Sequence, residues 1–113
     1  MEVGKKFWGP ALWKTIHCFA ASYTPDKKNS FKKFMFELQY LIPCEECKMH
    51  YINNLETFKM DNYMTNNHQL FLWSYLLHDI VNKQLGKHSP PYELVKIIYF
   101  KGLGSDCHLC KLN

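Results

Sequence analysis

Apolar residues recur at spacings of three and four along nearly the whole chain, and no long stretch alternates with a period of two. That pattern commits the chain to amphipathic helices. A first helix is expected over about 9–23, with Trp13, Ile16, His17 and Ala20 on one face. A second is expected over about 28–42, carrying Phe31, Phe34, Leu38, Leu41 and Ile42, with Asn29 and Ser30 as alternative caps near its start. The third begins at Pro43 or Cys44 and runs to about Phe58, and Asn62 to Asn67 is a polar connection. The fourth covers about 68–86 with Phe71, Leu72, Tyr75, Leu76, His78, Val81, Asn82 and Leu85, and stops at Gly86. Ser89-Pro90-Pro91 opens a short fifth helix to about Lys101. Gly102, Gly104 and Ser105 then loosen the chain. The reading is a compact helical bundle over 1–101 with a flexible C-terminal tail over 102–113.

A length of 113 residues makes this one domain. Three Trp, seven Tyr and eight Phe exceed what a small core needs and suit a pocket for a flat ligand. The net charge of +4 is carried by lysine alone, without arginine. Base readout and bidentate phosphate contacts lose their best residue, which argues against nucleic acid. Residues 1–12 hold lysines but no apolar core of a signal peptide, and no apolar run reaches membrane-spanning length. An encoded secretory route is therefore not expected.

Five cysteines in such a chain point to chemistry or metal. Four form two Cys-x-x-Cys pairs, Cys44/Cys47 and Cys107/Cys110; Cys18 is left over and reads as a buried small hydrophobe. Pro43 fits the entrance of a helix, so Cys44 falls where unpaired amides and the macrodipole favour a thiolate. A reachable thiol of low pKa with a partner three residues on is a dithiol/disulfide exchange centre. Half of a zinc site and a passive disulfide are the competing readings, and the four residues alone do not separate them.

Three helices carry polar residues on faces that should be dry. His17 shares a face with Trp13 and Ala20; His78 and Asn82 are four apart; His50 follows Cys47 by three. Amid tryptophan and tyrosine, these groups suggest a pocket for a polar, flat molecule.

Trp8-Gly9 with Trp13 and His17, then Pro43-Cys-Glu-Glu-Cys47, then His78-Asp-Ile-Val-Asn-Lys-Gln-Leu85 with Gly86-Lys87, make a recognisable series. In their order and spacing the chain resembles the Erv/ALR family of FAD-linked sulfhydryl oxidases, from Gly9 to about Tyr99. Small size, the missing secretion signal and His50 are most similar to the members encoded by large DNA viruses.

The resemblance implies an all-α fold, a four-helix bundle with a short fifth helix, holding FAD at the bundle end beside the Cys-x-x-Cys. It implies that Gly9, Trp13 and His17 line the flavin site from the first helix. His50 joins them from the third, and His78 and Asn82 contact the adenine or ribose side from the fourth. Lys83 and Lys87 would neutralise the diphosphate, and Tyr99 would close the pocket. Cys47 would stand next to the flavin and Cys44 would meet the substrate. Cys107 and Cys110 would act as a shuttle disulfide, often across a dimer. The implied activity is oxidation of thiols in protein substrates, such as a thioredoxin-like carrier. Electrons would pass through Cys44–Cys47 to FAD and on to dioxygen, giving hydrogen peroxide.

The partnership implied is a homodimer, with neither nucleic acid nor a membrane span. The setting is host cytoplasm or virion for a viral member, otherwise an oxidising intracellular compartment. Three departures stand out. Asp79 replaces the family's usual Asn, extra structural cysteines are missing, and Pro10 stands near a position that often holds Arg. Two other classes remain open at this point: a zinc module in which Cys44, Cys47, Cys107 and Cys110 form a Cys₄ site, and a structural or adaptor protein.

Overall fold

The computed structural model describes residues 4–101, which form five α-helices and no strands. The domain boundary expected at 101/102 and the Cys107/Cys110 pair lie at or beyond the edge of the described residues.

Helix α1 spans Lys5–Ala21 and so begins four residues before its expected start. Pro10 lies inside it. As the sixth residue of the helix it lacks the amide that would bond the Lys6 carbonyl, so the first turn and a half is less tightly tied to the rest. Ile16, His17, Ala20 and Ala21 are its buried residues. Cys18, expected to be buried, is exposed. It stands two residues past Ile16, about 200° round the helix from that buried side chain, and so faces outward. The connection after α1 is held by Tyr23, whose hydroxyl donates to the Met64 carbonyl at 3.0 Å.

A short 3-10 turn at Pro25–Lys27 leads directly into α2, Lys28–Leu41. Asn29 and Ser30 therefore fall within its first turn, and neither serves as the cap. Phe31, Met35 and Leu38 form the buried stripe at spacings of four and three.

Helix α3, Glu45–Thr57, is capped by Cys44, and Pro43 stands just outside rather than in the first turn. Its buried residues are Tyr51 and Asn54. The Tyr51 hydroxyl donates to the Met35 carbonyl and ties α3 to α2. A 3-10 turn at Asp61–Tyr63 then shapes what looked like a plain polar connection.

Helix α4, Asn67–Gln84, starts from Asn66, whose side chain accepts the Gln69 amide at 2.9 Å. Leu70, Phe71, Trp73, Ser74 and Leu77 are buried along one stripe. Trp73 is wholly buried, and its indole N–H donates to the Phe58 carbonyl at 3.1 Å. The helix ends where Gly86 takes φ +72, the left-handed conformation that glycine adopts without a Cβ clash. The Gly86 amide then bonds Lys83 C=O and the Lys87 amide bonds Asn82 C=O, which satisfies the last carbonyls.

Helix α5, Tyr92–Phe100, buries no residue fully. It lies as a half-exposed cover, with Tyr92, Tyr99 and Phe100 all against the ring of Phe71. The principal packing is α1 on α4, with α5 across α1 and α2 on α3. The all-helical architecture matches the sequence expectation.

Candidate active site

Two features bring reactive groups together. The first is at the start of α3. Cys44 and Cys47 form a disulfide with their Cα atoms 5.2 Å apart. Cys44 has extended backbone (φ −156, ψ 116), and its Sγ accepts the Cys47 amide at 3.2 Å. A sulfur that caps a helix is a thiolate in waiting: an amide hydrogen bond and the positive helix end both favour charge there. Glu45 and Glu46 in the first turn are exposed, and Glu45 pairs with Lys48 at 3.2 Å. Cys44 is nearly buried, at 9 % exposure, while Cys47 is half-buried against the core. Cys47 is thus the more open of the two as the chain stands.

The second feature joins α1, α4 and α5. The rings of Trp13 and His78 stack with centroids 4.0 Å apart and planes within 5°. His17 lies beside both, with its Nε2 3.0 Å from His78 Nδ1 and its Nδ1 2.9 Å from the Ser74 hydroxyl. Tyr99 meets the His17 ring edge-on at 5.4 Å. Burial, and secondarily the neighbouring His78, hold the His17 pKa down at about 3. His78 is lowered to about 4, first by burial and then by Lys87, against the opposing pull of Asp79. Both imidazoles are neutral at ordinary pH.

Asn82, one turn beyond His78, donates to the Ser89 hydroxyl at 3.0 Å; Ser89 donates to Asp79 at 2.7 Å. Lys83 pairs with the other Asp79 oxygen at 2.9 Å. Asp79, the departure from the family pattern, therefore fastens the α4–α5 connection. Lys87 is exposed beside this group.

The structure thus unites Trp13, His17, His78 and Tyr99 and sets Asn82, Lys83 and Lys87 on the following turns. It does not bring His50 into that cluster; His50 is exposed on α3, one turn after Cys47. A Cβ at Gly9 would meet no atom within 4 Å, so packing within the described fold does not require glycine there. Ser74 escaped the sequence reading. The signal was present: it stands one helical turn before His78, on the same face. A shallow apolar depression between α1 and α2, lined by Phe19, Phe31 and Phe34, holds none of these groups.

A model of the Erv1/Alr family matches residues 10–100. The chain belongs to the Erv1/Alr family. An FAD-linked sulfhydryl oxidase of African swine fever virus is 29% identical over 96 residues, covering 81% of this chain and 79% of the viral one. Another carries the same name in Arabidopsis thaliana; it is 32% identical over 98 residues, 82% of this chain and 50% of the plant protein. A protein of Invertebrate iridescent virus 3, provisionally so named, is 31% identical over 91 residues. The match takes in 77% of this chain but 62% of that relative's length.

The donor set fits the cofactor in those relatives' names. Two parallel rings, a neutral imidazole pair and lysines close by suit a flat, polar, anionic molecule. The zinc alternative loses its basis, because the disulfide consumes two of the four thiolates it needs. Among the described residues no cluster of His, Cys, Asp and Glu could hold a metal, and no helix is long and apolar enough to cross a membrane.

Proposed function

We propose that this chain is an FAD-dependent thiol oxidase that introduces disulfide bonds into protein substrates. The observation that carries the reading is the Cys44–Cys47 disulfide at the capped N-terminus of α3, in a fold that also presents the Trp13–His78 ring stack. A substrate thiolate attacks Cys44 Sγ; a substrate–Cys44 bond forms, the Cys44–Cys47 bond breaks, and Cys47 leaves as thiolate. A second substrate thiolate then attacks the substrate sulfur of that mixed disulfide. The substrate disulfide departs, and Cys44 is released as a thiolate supported by the Cys47 amide. FAD held in this fold would supply a two-electron acceptor for the reduced pair, with dioxygen as the final oxidant. Trp13 offers a stacking face, His17 and His78 offer neutral polar edges, and Lys83 and Lys87 offer positive charge for phosphates. The Gly9 backbone leaves room for close approach. The exchange at Cys44 needs its cover to open, since Cys44 is the more buried residue of the pair.

The reading includes a symmetric dimer. Phe7, Phe19, Phe36 and Tyr40 of α1 and α2 are 82%, 47%, 53% and 62% exposed, more than a lone small domain usually shows. Light scattering of the FAD-loaded protein at micromolar concentration tests it; a monomer rejects it.

The test of the whole reading is a visible spectrum together with oxygen uptake in the presence of a dithiol. Flavin bands, peroxide and thiol-dependent uptake are expected. A colourless protein that gains no activity from added FAD overturns it.

A further inference from the structure

Ser74 is fully buried beneath the His17–His78 pair. Its hydroxyl has one hydrogen to give. The Phe71 carbonyl oxygen lies 2.7 Å from Ser74 Oγ, a separation that two oxygens hold only with a hydrogen between them. Ser74 therefore donates to Phe71 and can only accept from His17 Nδ1 at 2.9 Å. The hydrogen of His17 is then on Nδ1. The ring is neutral, so its Nε2 is a bare acceptor, and His78 Nδ1 at 3.0 Å must donate to it. His78 is neutral as well. Its remaining nitrogen, Nε2, is a bare acceptor with no hydrogen-bond partner among the described residues. The reversed chain, with Ser74 donating to His17, would leave the Ser74 and Phe71 oxygens in contact without a hydrogen.

We propose that Ser74 is a positioning residue that fixes the hydrogen-bond polarity of the His17–His78 pair, so that the open edge of His78 selects a ligand group bearing an N–H or O–H donor. A free imidazole favours its hydrogen on Nε2; the buried serine reverses that on both rings. The relation is that by which a ligating histidine is held in one tautomer by the partner of its other nitrogen. For the ligand the proposal rests on the flavin reading. FAD bears such donors at the adenine amino group, the ribose and ribityl hydroxyls and the isoalloxazine N3–H; the proposal commits to those of the adenosine half, the half that the flavin reading sets against His78.

The first arm of the test needs no activity. Long-range proton–nitrogen NMR of the purified full chain should place the hydrogen on Nδ1 in both His17 and His78. Ser74→Ala should move both to Nε2, and Ser74→Thr, which keeps a hydroxyl, should restore Nδ1. An Nε2 hydrogen on either ring of the unmodified protein, or unchanged tautomers in Ser74→Ala, overturns the proposal. The second arm measures binding of FAD and of two analogues, one with unsubstituted purine for adenine and one lacking both hydroxyls of the adenosine ribose. The analogue that lacks the recognised donor should bind roughly tenfold more weakly than FAD, and Ser74→Ala should abolish that difference. The amino group and the hydroxyls are separated by which analogue suffers. Equal affinity for all three ligands overturns the selective role. A protein that binds none of them defeats the flavin reading, while the tautomer arm still stands on its own.

Discussion

Asn54 and Gln84 exchange both of their amide hydrogen bonds, Nδ2 to Oε1 at 3.2 Å and Nε2 to Oδ1 at 3.0 Å, and so clip α3 to the end of α4. Asn54 is 2% exposed and Gln84 lies at the surface. Truncating the surface partner should therefore be the more damaging change. Gln84→Ala strands a buried amide at a cost of about 1–3 kcal/mol, whereas Asn54→Ala lets Gln84 turn to water. Urea unfolding of the two variants checks the order, and the reverse order would mean that water reaches Asn54 directly.

The histidine pair makes the fold acid-sensitive. His17 and His78 have folded pKa values of about 3 and about 4, below the ordinary 6.5. Above 6.5 both are neutral in folded and unfolded chain alike, and the full stability is present. Below 6.5 the unfolded chain takes up protons that the fold refuses, so stability falls with pH down toward 4 and then 3. The slope is at most about 1.4 kcal/mol per pH unit for each group. Urea midpoints between pH 7 and pH 4.5 should fall in the wild type, and His78→Gln should flatten the fall. A midpoint independent of pH would show that the pair protonates in place.

Trp13→Ala removes the stacking face while leaving the core stripe of Ile16 and Ala20 intact. It should cut FAD affinity about tenfold or more, with a change of under about 2 kcal/mol in the stability of the cofactor-free chain. Fluorescence titration and urea unfolding, run side by side, separate the two effects. Loss of stability with unchanged affinity would place the cofactor elsewhere.

Cys44→Ser and Cys47→Ser should each abolish thiol-driven oxygen uptake, and their spectra should differ. Cys44→Ser leaves Cys47 free, and a long-wavelength shoulder on the flavin band should follow. The exposure order, Cys47 above Cys44, gives this experiment its edge. A shoulder in Cys47→Ser alone would exchange the two assignments.

Cys18 is an exposed free thiol, and partial burial raises its pKa before Lys14 lowers it in part. In the native oxidised protein it should react with a maleimide, slowly at neutral pH and faster as pH rises. Cys18→Ser should change stability by under about 0.5 kcal/mol. Labelling only after unfolding would restore the buried position.

Periodicity was enough to read five helices, because the buried stripes of α2 and α4 repeat at three and four without interruption. Helix ends were harder. Lys5–Trp8 joined α1 although Gly9 and Pro10, poor residues for a helix interior, follow them, and Pro25 opened the turn before α2, so Asn29 and Ser30 had no cap to make. At the site, Trp13, His17 and His78 were legible as polar and aromatic groups sharing faces. The tautomer chain was not, since it depends on the position of one serine hydrogen. The Asp79–Ser89–Asn82 fastening was equally hidden, because its partners belong to a helix and to the loop that follows it.

The ring stack has a consequence for how the protein matures. Trp13 and His17 come from the first helix, while Ser74 and His78 stand 57 and 61 positions beyond His17. The two halves of this cradle meet only once that long intervening stretch, which holds α2 and α3, has closed. With the cofactor held as proposed, its capture waits for the docking of the first helix on the fourth. A substitution anywhere that slows this docking will yield pale protein, with the flavin missing although every residue that would hold it is intact.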